Sequence, residues 1–203
     1  MATEADTAGG AALDAGPAAG VVPPVDVAGP TSGHPVVAAL ASAQAALAQA
    51  ATDSCWSLAD GEVVAALGAA LSLRSRTEAV TASLVAQADT RGVRAQLGQA
   101  STAGWLRRRF QLSAREARRL TTLADGLPRW LGVQRALAAG RVGAEAAAVI
   151  TTVLADLPAT TSAADATHAE ELLITQAATL DPGELATCGR ALREALTVTP
   201  DCR

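Results

Sequence analysis

From residue 36 onward the apolar residues of this chain recur at steps of three and four, and strand signals are almost absent, so the pattern predicts helix after helix. Between 36 and about 51 the stretch is alanine-rich, with Leu40 and Leu47 seven apart, a marginal helix that needs a partner. Asp60 is placed to cap a long helix in which Ala66, Leu73 and Val80 recur every seven residues, as do Val63, Ala70, Thr77 and Leu84. That near-heptad seam is the expected buried face. The helix should run to Thr90 or Arg91, where Gly92 supplies a left-handed stop. At about 1.5 Å per residue it spans roughly 45 Å, long enough to be the scaffold of the domain.

Ser101 opens a shorter helix through Phe110, with Ala103, Leu106 and Phe110 on one face. Ser113-Ala114-Arg115-Glu116 is a capping-box sequence: the serine oxygen can accept from the third amide while the glutamate reaches back. A second helix therefore starts there, buries Ala117 and Leu120, and ends before Gly126-Leu127-Pro128. Further helices are expected at about 129–139, closed by Gly140, at 143–156, closed by Pro158, at 163–178 and at 182–196. The last uses Asp181 as cap and Pro182 at the first helical position. The fold class is all-α: a multi-helix bundle built on one long helix (about 60–90) with a helix-turn-helix-like hairpin (about 101–125). Residues 1–35, a Gly/Ala/Pro/Asp mixture without periodicity that includes Pro23-Pro24 and Pro35, read as a disordered tail, and 36–203 as the helical domain.

Composition sharpens this picture. Aromatics make up only 2% of the 203 residues, so the core must be filled by alanine and leucine. All 16 basic residues are arginine. The formal charge of -4 is unevenly spread. Residues 1–73 hold seven acids and no arginine, 74–141 hold thirteen arginines against four acids, and 142–203 hold three arginines against nine acids. Such a basic middle is either an anion-binding face or the internal counterpart of the acidic helices around it. Cys55, Cys188 and Cys202 are odd in number and widely spaced, which fits reduced thiols and neither a disulfide framework nor a zinc site. The first thirty residues lack the basic start and continuous apolar core of a signal peptide, and no run of about 18 apolar residues is expected elsewhere. The expectation is a cytoplasmic protein with no membrane contact.

The strongest local constellation is W-L-R-R-R-F-Q-L-S-A-R-E-A-R-R-L, from Trp105 to Leu120. Leu106 and Phe110, Leu112 in the turn, then Ala117 and Leu120 have the apolar spacing of a helix-turn-helix. In that geometry Ala114, Arg115 and Arg118 face a groove of duplex DNA, while Arg107, Arg108, Arg109 and Arg119 approach phosphates. Gln111 stands where glycine often does, and a left-handed conformation there costs about 1–2 kcal/mol. The other reading is an ordinary helical hairpin whose arginines are solvated or pair with Glu116, Asp125 or the acidic C-terminal helices. Trp105 and Trp130 read as core anchors in a chain this poor in aromatics. His168, beside Glu170 and Glu171, reads as a solvated side chain.

Four ordered segments carry a resemblance: Asp89-Thr90-Arg91-Gly92, Ser101-Thr102-Ala103-Gly104-Trp105-Leu106, the stretch from Leu112 to Leu120, and the stretch from Ala136 to Val142. Over 58–200 the chain resembles the N-terminal region of the domain of unknown function 222 (DUF222), also met as the 13E12 repeat proteins. Many members of that family end in an HNH nuclease module, whose histidines and cysteines hold metal and activate water. The resemblance implies a nuclease-associated domain. No nuclease residue carries over, because this chain offers only His34 and His168. The chain therefore reads as a shortened relative, not an enzyme, with no catalytic residue, metal ligand or cofactor, and with a turn beginning at Thr199-Pro200-Asp201. The candidate partners are duplex DNA, a second copy of the chain, or another helical protein.

Overall fold

The structure is a computed structural model that describes residues 33–198. Most of the expected tail and the turn at Thr199 lie outside them. In chain order the helices are α1 (Pro35–Ala50), α2 (Asp60–Thr90), α3 (Val93–Gln96), α4 (Thr102–Phe110), α5 (Ala114–Gly126), α6 (Leu131–Ala138), α7 (Ala144–Ala155), α8 (Ala163–Gln176) and α9 (Pro182–Val198), with a single 3-10 turn at Cys55–Ser57. Among the described residues there is no strand, so the all-α class holds. The chain divides into two units at residue 54.

In the first unit, α1 begins at Pro35, one residue earlier than the pattern predicted, because His34 caps it: its Nδ1 accepts from the Val36 amide at 3.2 Å. None of its residues is buried. Pro35–Thr52 holds no charged residue and has a mean hydropathy of 1.2, which by length and composition alone is enough to cross a membrane, although Ser42, Gln44, Gln49 and Thr52 interrupt its apolar residues. Its alanines, each only mildly apolar, add up over 18 residues.

In the second unit, the C-terminal half of α2 packs against α5 and α6, α5 against α7, and α7 against α9, while α8 lies against α6 and α7. Leu123, Leu137, Ile150, Leu173, Leu185 and Val133 are its largest fully buried apolar side chains, one or two from each helix from α5 to α9. The local signals set most boundaries. Ser101, Ser113 and Ser162 each accept from the amide three residues on, and Asp181 Oδ1 accepts from Gly183 and Glu184 while Glu184 Oε2 accepts from the Asp181 amide. Gly92 and Gly140 are left-handed stops at φ 67° and 72°. The four-residue α3 carries no apolar period of its own and was not expected from the pattern.

Two expectations for α2 are corrected. Its N-cap is Ala59, not Asp60: Glu62 Oε2 accepts from the Ala59 amide at 2.8 Å, and Asp60 opens the first turn, where its charge meets the positive end of the helix. The heptad seam is not the buried face either. Val63, Ala66, Ala70, Thr77 and Leu84 are exposed, Leu73 and Val80 are half-buried, and the buried residues are Ser75, Ala79, Ala82 and Val85. In an alanine-rich helix several registers of apolar residues coexist, and the face that is buried is the one whose small side chains let α5 and α6 come close.

Gly140 sits where α6 ends against α2. A Cβ there would lie 3.0 Å from the Ser72 carbonyl oxygen, and beside it Arg76 Nη2 donates to the Ala139 carbonyl at 3.2 Å. Gly140→Ala is therefore expected to destabilise by about 1–2 kcal/mol from the left-handed backbone alone, and further from the contact. Gly68→Ala, in an open stretch of α2 where a Cβ meets nothing within 4 Å, is expected to stabilise by about 0.5–1 kcal/mol. Urea unfolding of the two variants should give shifts of opposite sign.

Candidate nucleic-acid interface

The arginine-rich hairpin is built from α4, a three-residue turn and α5. The turn closes because Gln111 takes a left-handed conformation (φ 57°, ψ 31°), alone in this among the described non-glycine residues. Its side chain offsets part of that cost, since Nε2 donates to the Arg108 carbonyl at 3.0 Å, one of the acceptors α4 leaves open. Beneath the turn a second core forms between α2, α4 and α5, with Val85, Leu106, Ala117, Leu120 and Ala124 buried and Ala103, Trp105 and Leu112 packed against them. Phe110 was expected on that buried face but remains 46% exposed. It is the last residue of α4, and its ring meets Trp105 edge-on at 5.7 Å instead. Trp130 packs against the main core.

Asp89 fixes the hairpin to the end of α2. Its Oδ1 accepts from Thr102 Oγ1 at 2.6 Å and from Arg94 Nε at 3.0 Å, while Arg94 Nη1 donates to the Ala100 carbonyl at 3.2 Å. One carboxylate thereby joins α2, α3 and the start of α4. The Thr102 hydroxyl first, and Arg94 second, hold the Asp89 carboxyl below the usual carboxylate range.

The six candidate arginines separate into two environments. Arg107, Arg109 and Arg118 are exposed, with no ion pair or hydrogen bond from their side chains among the described residues. Arg108 is exposed and donates to Gln99 Oε1 at 3.2 Å. Arg115, with 81% of its side chain exposed, reaches Glu145 Oε1 at 3.0 Å. Arg119 points inward. Only 12% of its side chain is exposed, and its Nη2 lies 2.7 Å from Glu78 Oε1, itself 14% exposed, with Glu145 Oε1 at 3.7 Å. The structure thus leaves five of the six exposed on the hairpin and turns Arg119 onto α2 and α7. Leu123, four residues further along α5 and fully buried, was the signal in the sequence that Arg119 flanks the core.

Sequence reasoning also missed Glu170, whose Oε1 accepts from the Val133 amide at 2.9 Å. That bond caps α6 from α8, where the local N-cap is Trp130, which has no side-chain acceptor. Among the described residues no three His, Cys, Asp or Glu side chains are grouped as metal ligands would be. His168 is exposed, Cys55 and Cys188 are free thiols, and Cys202 lies outside the described residues.

The family model for the domain of unknown function (DUF222) matches residues 64–203. The chain belongs to the DUF222 family. Within that range Asp89 is the clamp, Ser101 and Ser113 are the caps of the hairpin, and Gly140 is the close approach to α2. Comparison with curated proteins and with solved structures returns no match.

Two measurements test how this DUF222 hairpin is held. Glu78→Ala leaves a largely buried guanidinium with only the more distant Glu145 Oε1, at 3.7 Å, and should cost about 3 kcal/mol, whereas replacing both Glu78 and Arg119 with leucine should cost clearly less. Asp89→Asn should lower the melting temperature by a few degrees near neutral pH. Because the folded carboxyl titrates below its unfolded value, the Asp89 contribution is present above the ordinary carboxylate range and is lost as pH falls through the lowered folded value. The wild-type and Asp89→Asn melting curves should accordingly converge in acid.

Proposed function

We propose that this chain is a non-catalytic, nuclease-associated helical module that contacts the phosphates of duplex DNA through Arg107, Arg108, Arg109 and Arg118, joined by Arg115 when it leaves Glu145. The observation that carries this reading is that Arg107, Arg109 and Arg118 stand exposed on one short hairpin with no carboxylate partner, in a chain whose net charge is -4. An acidic protein with enough carboxylates to neutralise every arginine leaves these three facing solvent, where a guanidinium suits phosphate. The exposed Arg115–Glu145 pair is of the kind worth about 1 kcal/mol or less, so exchanging the carboxylate for a phosphate costs little. Arg119 serves this surface by positioning α5, not by touching nucleic acid. The nuclease companion is what the family resemblance implies, and no step of hydrolysis is assigned to this chain.

A second reading is that the arginines bind acidic protein surfaces. It is favoured by the two pairs already made within the fold, Arg115 with Glu145 and Arg119 with Glu78.

Binding to a short duplex, read by fluorescence anisotropy, separates the two. Four or five neutralised phosphates predict an affinity that falls by roughly 10²–10³ between about 50 and 200 mM salt. The triple variant Arg107→Ala, Arg109→Ala, Arg118→Ala should weaken binding at least about tenfold and flatten the salt slope by about one for each arginine replaced. Affinity without steep salt dependence, or unchanged in the triple variant, would overturn the DNA reading and leave the acidic protein partner.

A further inference from the structure

The first three turns of α2 carry an apolar stripe that the second unit leaves open. Every residue over 60–71 is exposed, including Val64 at 72%, Leu67 at 59% and Leu71 at 54%. Steps of three and four place these three in line with Ser75, Ala79 and Ala82, the face that the bundle buries further along. The core-facing stripe of α2 thus continues about 18 Å beyond the helices that cover it. Charge is graded along the same overhang. Asp60 and Glu62 are at its tip, and Arg74, exposed and with no ion pair or hydrogen bond from its side chain among the described residues, is at its root.

We propose that this overhang is covered by the same overhang of a second copy, in an antiparallel, two-fold pair centred on Leu67. Self-complementarity selects this arrangement. In a two-fold pair the same flank of each helix meets its equivalent, so a residue seven before the centre lies opposite one seven after it. Asp60 of one copy then meets Arg74 of the other, twice over, and Leu71 meets Val63. A parallel pair would set Asp60 on Asp60 and Arg74 on Arg74. Length gives the same register: the exposed stretch ends where the bundle begins, so each tip arrives at the root of the other.

At that root lies a groove of about 430 Å³ whose lining includes Leu71, Arg74, Glu145, Ala177, Leu180 and Pro182, with Glu145 already paired to Arg115. Trp56, at 87% exposure, and Leu58 stand just before α2. In the centred register they come beside the groove of the opposite copy, level with the turn of α2 that follows it. Three apolar side chains and a tryptophan per copy are a small interface, so a concentration-dependent dimer follows, not an obligate one.

Sedimentation equilibrium of the full chain tests this directly, with circular dichroism melting as the folding check on exposed-site variants. A reversible monomer–dimer equilibrium is expected. Asp60→Arg and Arg74→Asp should each weaken it at least about tenfold, and the two together in one chain should bring it back to near the wild-type constant, because the charge pair is re-formed with its signs exchanged. Leu67→Asp should leave a folded monomer. A wild-type chain that stays monomeric at every concentration overturns the proposal, as does a dimer indifferent to Leu67→Asp, a double charge variant no tighter than the single ones, or a closed species larger than two.

Discussion

Ala82, Ala117, Ala136 and Ala147 have no exposed surface at all, and they lie one each on α2, α5, α6 and α7. A methyl group at each crossing lets helix backbones approach more closely than leucine would allow, and the rest of the unit depends on that closeness. With almost no aromatic volume to draw on, the interior is filled by leucines that project between the axes, Leu123 and Leu137 among them. The same constraint recurs between α7 and α9, where a Cβ on Gly189 would run into the side chain of Val153. Cores of this kind tolerate little added volume, because interiors are packed at crystal density and a methyl has nowhere to go.

Close approach also decides which charges meet. Once Ala117 seats α5 on α2, Arg119 and Glu78 come to 2.7 Å in surroundings that leave each about one-eighth exposed. An ion pair so placed adds little net stability over apolar neighbours, but each partner is costly without the other, so it fixes the rotation of α5. That rotation turns Arg118 outward, on the hairpin that also carries the exposed Arg107 and Arg109. Asp89 acts similarly at the other end of the hairpin, by local hydrogen bonds from Thr102 and Arg94.

The long helix is chemically one element in two environments. Its C-terminal half exchanges solvent for α5 and α6, while its first three turns keep the same apolar register in water. A helix that stays apolar on one side past the end of its own bundle invites a partner, since such a face costs free energy for as long as it is wet.

Much of this architecture is legible in the chain itself. Ser101, Ser113, Ser162, Asp181, Gly92 and Gly140 mark helix ends by chemistry that acts within four residues, and the structure places each at an end. Of the apolar set Leu106, Phe110, Leu112, Ala117 and Leu120, all but Phe110 join the hairpin core, because those residues meet across a three-residue turn. What the sequence left undetermined depends on partners far along the chain. Val63, Ala70 and Leu84 looked as fit for burial as Ala79 and Ala82, and only the arrival of α5 and α6 chose between the two faces. Arg118 and Arg119 are alike as neighbours in a sequence, yet one is solvated and the other faces Glu78, forty-one residues away. The cap that Glu170 gives to α6 spans thirty-seven residues. Local periodicity and capping determined where the helices are; which face is buried and which arginine is free were decided by tertiary packing, because alanine-rich helices offer several equivalent faces until another helix comes close.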